Sequence, residues 1–230
     1  MHPALLATRF RAEDVLSAGT TPATVAAAAR ASHEIFDRAM ANLRDDIEAQ
    51  GPVACGQGCN WCCHQHVTVL AAEALAIHAH IAGTKLADRL RASVPAIVGT
   101  DPRVRKAVRT PCPFVDEGGC AIYALRPNRC RSVHSRDAGY CRRRYDGAVD
   151  EPVSPDRPIP VEPVALADAT LAGLAQALRG RGLAVEALEL VHALAILADD
   201  PGAAGAYVAG ADVFAGARLA PALEELTARD

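Results

Sequence analysis

Cys55-Gly56-Gln57-Gly58-Cys59-Asn60-Trp61-Cys62-Cys63 places four thiols in one short run of a 230-residue chain. The other four cysteines, Cys112, Cys120, Cys130 and Cys141, occupy a second stretch, and none lies outside residues 55–141. Thiolates are soft ligands, and gaps of two or three residues let one loop wrap several of them around a metal centre. Gly56 and Gly58 allow the backbone between them to bend tightly. This segregation predicts a loop-built metal site in the middle of the chain, with Cys55, Cys59, Cys62, Cys63, Cys112, Cys120, Cys130 and Cys141 as candidate ligands.

The flanks read as helix. Val25, Ala29, Phe36, Met40, Leu43 and Ile47 recur at helical spacing. The predicted helix covers 21–50, with Thr21 as cap, Pro22 in the first turn and Gly51-Pro52 as stop. Further helices are expected over 71–81, 86–97, 164–178 and 185–198, with shorter helical pieces towards Asp230. The second cysteine stretch, 110–145, reads as irregular structure with turns at Asp116-Glu117-Gly118-Gly119 and Arg126-Pro127-Asn128. No convincing alternating strand is visible. The expected fold is therefore mainly α, a helical core around an irregular cysteine site. Its parts are a helical segment at 1–50, the cysteine domain at 51–147, a proline-rich connector at 148–163, and a helical segment at 164–230 packing on the same core.

Composition narrows the function. Half of the residues are hydrophobic, enough for an ordinary core without disulfides. The formal charge of −3 argues against non-specific nucleic-acid binding. The start shows no secretory apolar run, and no apolar stretch has membrane-spanning length, so a cytoplasmic protein is expected. Thiols stay reduced there, which favours metal ligation over disulfides.

Within the eight thiols, spacing leaves the ligand sets open. Neighbouring side chains at Cys62 and Cys63 are expected to diverge, so the pair could serve two centres, or one could bind while the other packs. Two tetrahedral zinc ions or one [4Fe–4S] cluster with spare thiols both satisfy the count. Arg126, Arg129, Arg131, Arg136 and Arg142-Arg143-Arg144 could offset thiolate charge, or form a solvated basic face. His64, His66 and His134 lie near cysteines and are secondary ligand candidates. Trp61, Phe114, Tyr123 and Tyr140 are expected to shield the centre from water.

The pattern Cys55-x3-Cys59-x2-Cys62-Cys63, then Cys112-Pro-Phe, Cys120-Ala-Ile-Tyr, Arg126-Pro-Asn-Arg-Cys130-Arg and Cys141, closely resembles the bacterial family of zinc- or iron-chelating cysteine-cluster proteins (YkgJ-like). The resemblance covers residues 55–141 and implies a metal or iron–sulfur site without fixing an activity. Flagellin lysine N-methylase carries a similar cluster, which suggests a cluster-dependent methylase-like enzyme as one alternative. Cys55-x3-Cys59-x2-Cys62 also fits the radical S-adenosylmethionine pattern, but the repeated strand–helix units of those enzymes are not visible downstream. A structural zinc protein acting as an interaction module, with a protein partner, is the alternative from a different class.

Overall fold

The computed structural model describes residues 2–56, 58–147 and 158–219. Most of the proline-rich connector, residues 148–157, and the expected helical pieces beyond residue 219 lie outside the described residues. The fold is mainly helical, as the sequence predicts. Helix α1 spans Pro3–Ser17 and α2 spans Pro22–Ala49. At the start of α2 the Thr21 hydroxyl accepts from Thr24 N and the Thr24 hydroxyl accepts from Thr21 N, a reciprocal cap that satisfies two free donors. Helices α3 (Ala71–Ile81) and α4 (Lys85–Ile97) follow as expected, and α5 (Pro102–Val108) is an additional short helix.

The second cysteine stretch is more regular than predicted. It contains a hairpin, β2 (Val115–Asp116) with β3 (Gly119–Cys120), then α6 (Asn128–Ser132) and α7 (Ala138–Tyr145). Asp116 Oδ1 accepts from Gly118 N at 3.0 Å, and Gly119 closes the turn at φ +111°, a conformation open to glycine. The hairpin is the local structure that a turn signal without long strands conceals.

Helix α8 (Glu162–Arg179) packs on α1 and α2. Gly173 permits the closest approach: a Cβ there would stand 2.3 Å from the Leu5 carbonyl of α1. Ala4, Thr8, Ala12 and Leu16 form the buried stripe of α1, mostly small side chains that let the backbones meet. The helix expected over 185–198 begins later, as α9 (Leu190–Asp199). Its predicted first turn is instead extended: β4 (Leu188–Glu189) pairs antiparallel with β1 (Thr68–Val69), Thr68 opposite Glu189. Leu190 N then donates to Val67 O at 3.0 Å. This correction has a tertiary cause, because pairing with a distant strand outcompetes local helical spacing. A short helix, α10 (Ala203–Val208), follows.

The main core joins α3 and α9 to Leu16, Val25, Leu90, Leu174 and Leu178, and takes in Phe114 and Ile122 from the cysteine region. No described helix is long and apolar enough to cross a membrane.

Candidate metal centre

Buried polar groups hold the second cysteine stretch onto the helices. Glu73, in the first turn of α3, is fully buried. Its Oε2 accepts from Leu70 N at 3.1 Å, and its Oε1 accepts from Asn128 N at 2.9 Å, with His33 Nε2 at 3.2 Å. The Asn128 amide donates to Ser32 Oγ (2.8 Å) on α2 and Thr170 Oγ1 (3.0 Å) on α8. Three helices, α2, α3 and α8, thus converge on Asn128, two positions before Cys130. Burying so many polar groups is tolerable only when they satisfy one another, which makes this link specific.

The arginines expected to surround the thiols divide in role. Arg131 is engaged elsewhere, donating to Asp37 Oδ1 and Oδ2 at 2.6 Å each and to the carbonyls of Ala124 and Arg126. Arg136 donates to Ile47 O and Gly51 O, tying the end of α2 to residues 135–136. Arg129 pairs with Asp168 at 2.5 Å. Arg142 and Arg143 lie on the exposed side of α7, the solvated-face reading. Arg126 is the cation that acts on sulfur: it favours the thiolate forms of Cys62, Cys120 and Cys130. Arg105, absent from the sequence-based candidates, does so for Cys112. It is 1% exposed and pairs with buried Glu189 at 3.2 Å. No pattern in the sequence marks such a pair, because its partners are 84 residues apart.

All eight cysteines are free thiols. The first loop carries Cys55, Cys59, Cys62 and Cys63, and Gly58 turns it at φ +84°. The hairpin turn packs against this loop: a Cβ on Gly119 would lie 3.6 Å from Gly58 N. Cys112 N donates to Cys63 O at 2.7 Å, which draws the Cys112 segment alongside. At the other end of the loop, Ala54 N donates to Ser135 O at 2.7 Å and Ser135 N donates to Cys55 Sγ at 3.1 Å. A backbone N–H aimed at sulfur is the contact a thiolate ligand favours.

The thiols are distinguished by surroundings. Burial pushes Cys55 up to about 11, against the opposing Ser135 N–H, and Cys112 also to about 11. Burial also raises Cys120 and Cys130, the latter strongly. The adjacent pair, Cys62 and Cys63, is set apart from the rest. Each thiol acts most strongly on the other: Cys62 is lowered to about 7 and Cys63 is raised well above its ordinary value. Cys63 lies within electrostatic range of Cys112 and Cys130, and Cys130 of Cys112, Cys62 and Cys120. Cys55 is in range of Cys59, Cys141 and Cys62. Among the described residues, no three Cys, His, Asp or Glu side chains already stand in metal-ligating geometry.

The aromatic shield is partial. Phe114 and Tyr140 are buried, and Trp61 packs on Tyr145 with ring centroids 5.2 Å apart. Tyr123 does not shield; it is 61% exposed, with the Arg126 guanidinium 3.6 Å over its ring. His64 stacks edge-on against Tyr145 at 4.7 Å, and burial lowers the pKa of His64, His66 and His134. His134 Nε2 already lies 3.0 Å from Arg131 O.

Residues 54–146 match the family model CxxCxxCC, described as "Putative zinc- or iron-chelating domain". The resemblance read from the cysteine pattern holds over this segment, and the match supports metal binding there. No curated protein and no solved structure matches the chain.

Proposed function

Taking the chelating domain at residues 54–146 as the premise, we propose that this chain is a cytoplasmic metal-binding protein whose cysteine thiolates hold an iron–sulfur cluster of the [4Fe–4S] type, with Zn²⁺ as the alternative occupant. The observation that carries the reading is the gathering of Cys62, Cys63, Cys112, Cys120 and Cys130, from separate segments, into one electrostatic neighbourhood. An all-sulfur donor set with Arg126 and Arg105 beside it suits a soft, thiolate-bound centre carrying net negative charge. A bound cluster would supply one-electron redox chemistry, whereas zinc would supply structural cross-linking. The chain's own part is to deliver thiolates, to donate the Ser135 N–H to Cys55, and to exclude water with Phe114 and Tyr140.

Metal analysis and absorption spectroscopy on protein purified without air or chelators test this reading. Iron with acid-labile sulfide and a band at roughly 400 nm indicates the cluster. Stoichiometric zinc without colour indicates the structural site. Neither metal in protein isolated with reduced thiols would refute the proposal.

The structural-zinc interaction module is the second reading, favoured by one feature: Val104 and Val108, one turn apart on α5, are both exposed. The enzymatic alternatives have less support. The described strands are two residues long and form two-stranded antiparallel sheets, so the partial barrel of radical S-adenosylmethionine enzymes has no counterpart among the described residues.

A further inference from the structure

Helix α5 reverses the usual arrangement of a surface helix. Its charged Arg105 faces inwards, 1% exposed and paired with Glu189, while Val104 is 51% and Val108 62% exposed. Ala107, also exposed, completes an apolar stripe at i, i+3 and i+4, the spacing by which a helix normally buries one face. Rolling the helix to hide the valines would break the Arg105–Glu189 pair. The end of α5 is fixed as well. Arg109, the residue after it, is held at φ +56°, in the left-handed region that a non-glycine residue seldom adopts. Its guanidinium lies 5.0 Å over the Tyr145 ring and donates to Asp146 O at 3.2 Å, which fastens α5 to the end of α7. Tyr145 in turn packs on Trp61 and His64, so the stripe borders the first cysteine loop.

The rim of the stripe is basic. Arg109, Arg142 and Arg143 are exposed, and Arg109 and Arg142 share the Asp146 carboxylate at 3.8 Å each. Arg143 pairs with Asp137 at 3.1 Å. Exposed pairs of this kind are weak, and they leave the rim with an excess of positive charge. Residues 102–115 and 138–145 contain no acid, in a chain whose net charge is −3. We infer that α5 and the end of α7 form a docking surface for an acidic protein segment, which seats apolar side chains on Val104, Ala107 and Val108 and sets carboxylates against Arg109, Arg142 and Arg143. This rests on the interaction reading above and adds the chemistry of the partner; it does not depend on which metal the thiols hold. Charge selects the occupant. A second copy offering the same face would bring the arginines against one another. A phosphate backbone would meet the rim yet leave the valines in water. Three small apolar side chains bury too little to hold a membrane surface. The surface is small, as in transient contacts.

The test is fluorescence anisotropy with the full chain, purified without air, and a labelled synthetic helix carrying Leu at i, i+3, i+4 and i+7 and Glu at the flanking positions. A control peptide has every Leu replaced by Ser at the same charge. Saturable binding of the leucine peptide is expected, at least about tenfold tighter than the serine peptide, since burying one aliphatic side chain already accounts for such a factor. Val104→Ser/Val108→Ser should weaken it about tenfold. Arg142→Glu/Arg143→Glu should weaken it and remove most of its decline with salt. Phe10→Ser, which removes an exposed aromatic from α1 instead, should leave it unchanged. All the exchanged side chains are exposed, and circular dichroism checks that each variant is folded. No saturable binding, equal affinity for the serine peptide, or an equal loss in Phe10→Ser overturns the inference. So does tighter binding to a DNA duplex or to phosphatidylserine vesicles than to the leucine peptide. Metal content of the same samples keeps the two readings apart: docking absent with metal present strikes this surface alone, and metal absent with docking present strikes the metal reading alone.

Discussion

Replacing Glu73 with glutamine tests whether the cysteine region is anchored from within the helical core. The carboxylate accepts from Leu70 N, Asn128 N and the His33 ring, and no solvent reaches it. Glutamine keeps one acceptor oxygen and turns the other into a donor. In the less costly orientation the amide oxygen keeps Asn128 and His33, and the new NH₂ faces Leu70 N–H. One buried donor is then left without a partner, which costs about 1–3 kcal/mol. The two surviving bonds lose their charge assistance, which weakens each by roughly half and adds about 1 kcal/mol. The total is about 2–4 kcal/mol, a large part of the roughly 5–15 kcal/mol of net stability usual for a domain. With a urea slope of about 2 kcal/mol per molar, the midpoint should fall by about 1–2 M. The assay is urea unfolding of the reduced, metal-free protein, followed by circular dichroism. A second readout is the alkylation rate of Cys130 in native buffer, which should rise as Asn128 loses its hold. A midpoint within about 0.3 M of wild type, with unchanged Cys130 labelling, would refute the anchoring argument.

Three other outcomes are expected. In metal-free protein, Cys112 ionises near 11 when folded but near its ordinary value of 9.0 when unfolded. The unfolded chain therefore sheds a proton that the folded chain keeps, and stability present below pH 9 is lost by pH 11, on the order of 2 kcal/mol from this thiol. Urea midpoints that do not fall across this window, in a chain with intact α-helical signal, would contradict the assignment. Gly173→Ala should destabilise by a net of up to ~2 kcal/mol, since overpacking against the Leu5 carbonyl costs about 1–3 kcal/mol against the roughly 1 kcal/mol that alanine gains in helix propensity; a rise in thermal midpoint would disprove the close contact. Arg105→Met should cost ~3–5 kcal/mol by leaving Glu189 buried and unpaired, and adding Glu189→Gln should recover much of that, because glutamine can still accept from His192 N; equal stability of the single and double variants would exclude the buried pair.

The long amphipathic elements were legible because their signals are local. Thr21, Pro22 and Gly51 bracket α2 within a residue, and α3 and α8 follow their apolar spacing. Helix α1 was harder to delimit, since its buried stripe of Ala4, Thr8 and Ala12 carries little hydrophobic contrast and acquires meaning only against Gly173 of a distant helix. The first turn expected of α9 became strand for a similar reason: Val69 and Leu188 pair across more than a hundred residues. The cysteine spacing led to the chelating-domain match over residues 54–146, and adjacency to cysteines picked out Phe114 and Tyr140, both of them buried. Adjacency misled for Tyr123, whose ring turns to solvent under Arg126. The loop at Cys62 and Cys63 is a tight turn, with Cys63 N bonded to Asn60 O at 2.9 Å, which the glycines on either side of Gln57 had suggested. Arg105, Glu73 and Asn128 had no sequence signature, as each is defined by partners far along the chain.

The amide of Asn128 reaches Ser32, 96 residues before it, and Thr170, 42 residues after it. The seat of Cys130 is therefore complete only once residue 170 has been synthesised. At ribosomal speeds of about 5–20 residues per second, the first four thiols emerge ~5–20 s before the segment that fixes the last side of their site. Anchoring of the second cysteine stretch is thus a late event in the life of each new chain, for until residue 170 is made the first cysteine loop stands beside a segment whose seat still lacks its last hydroxyl.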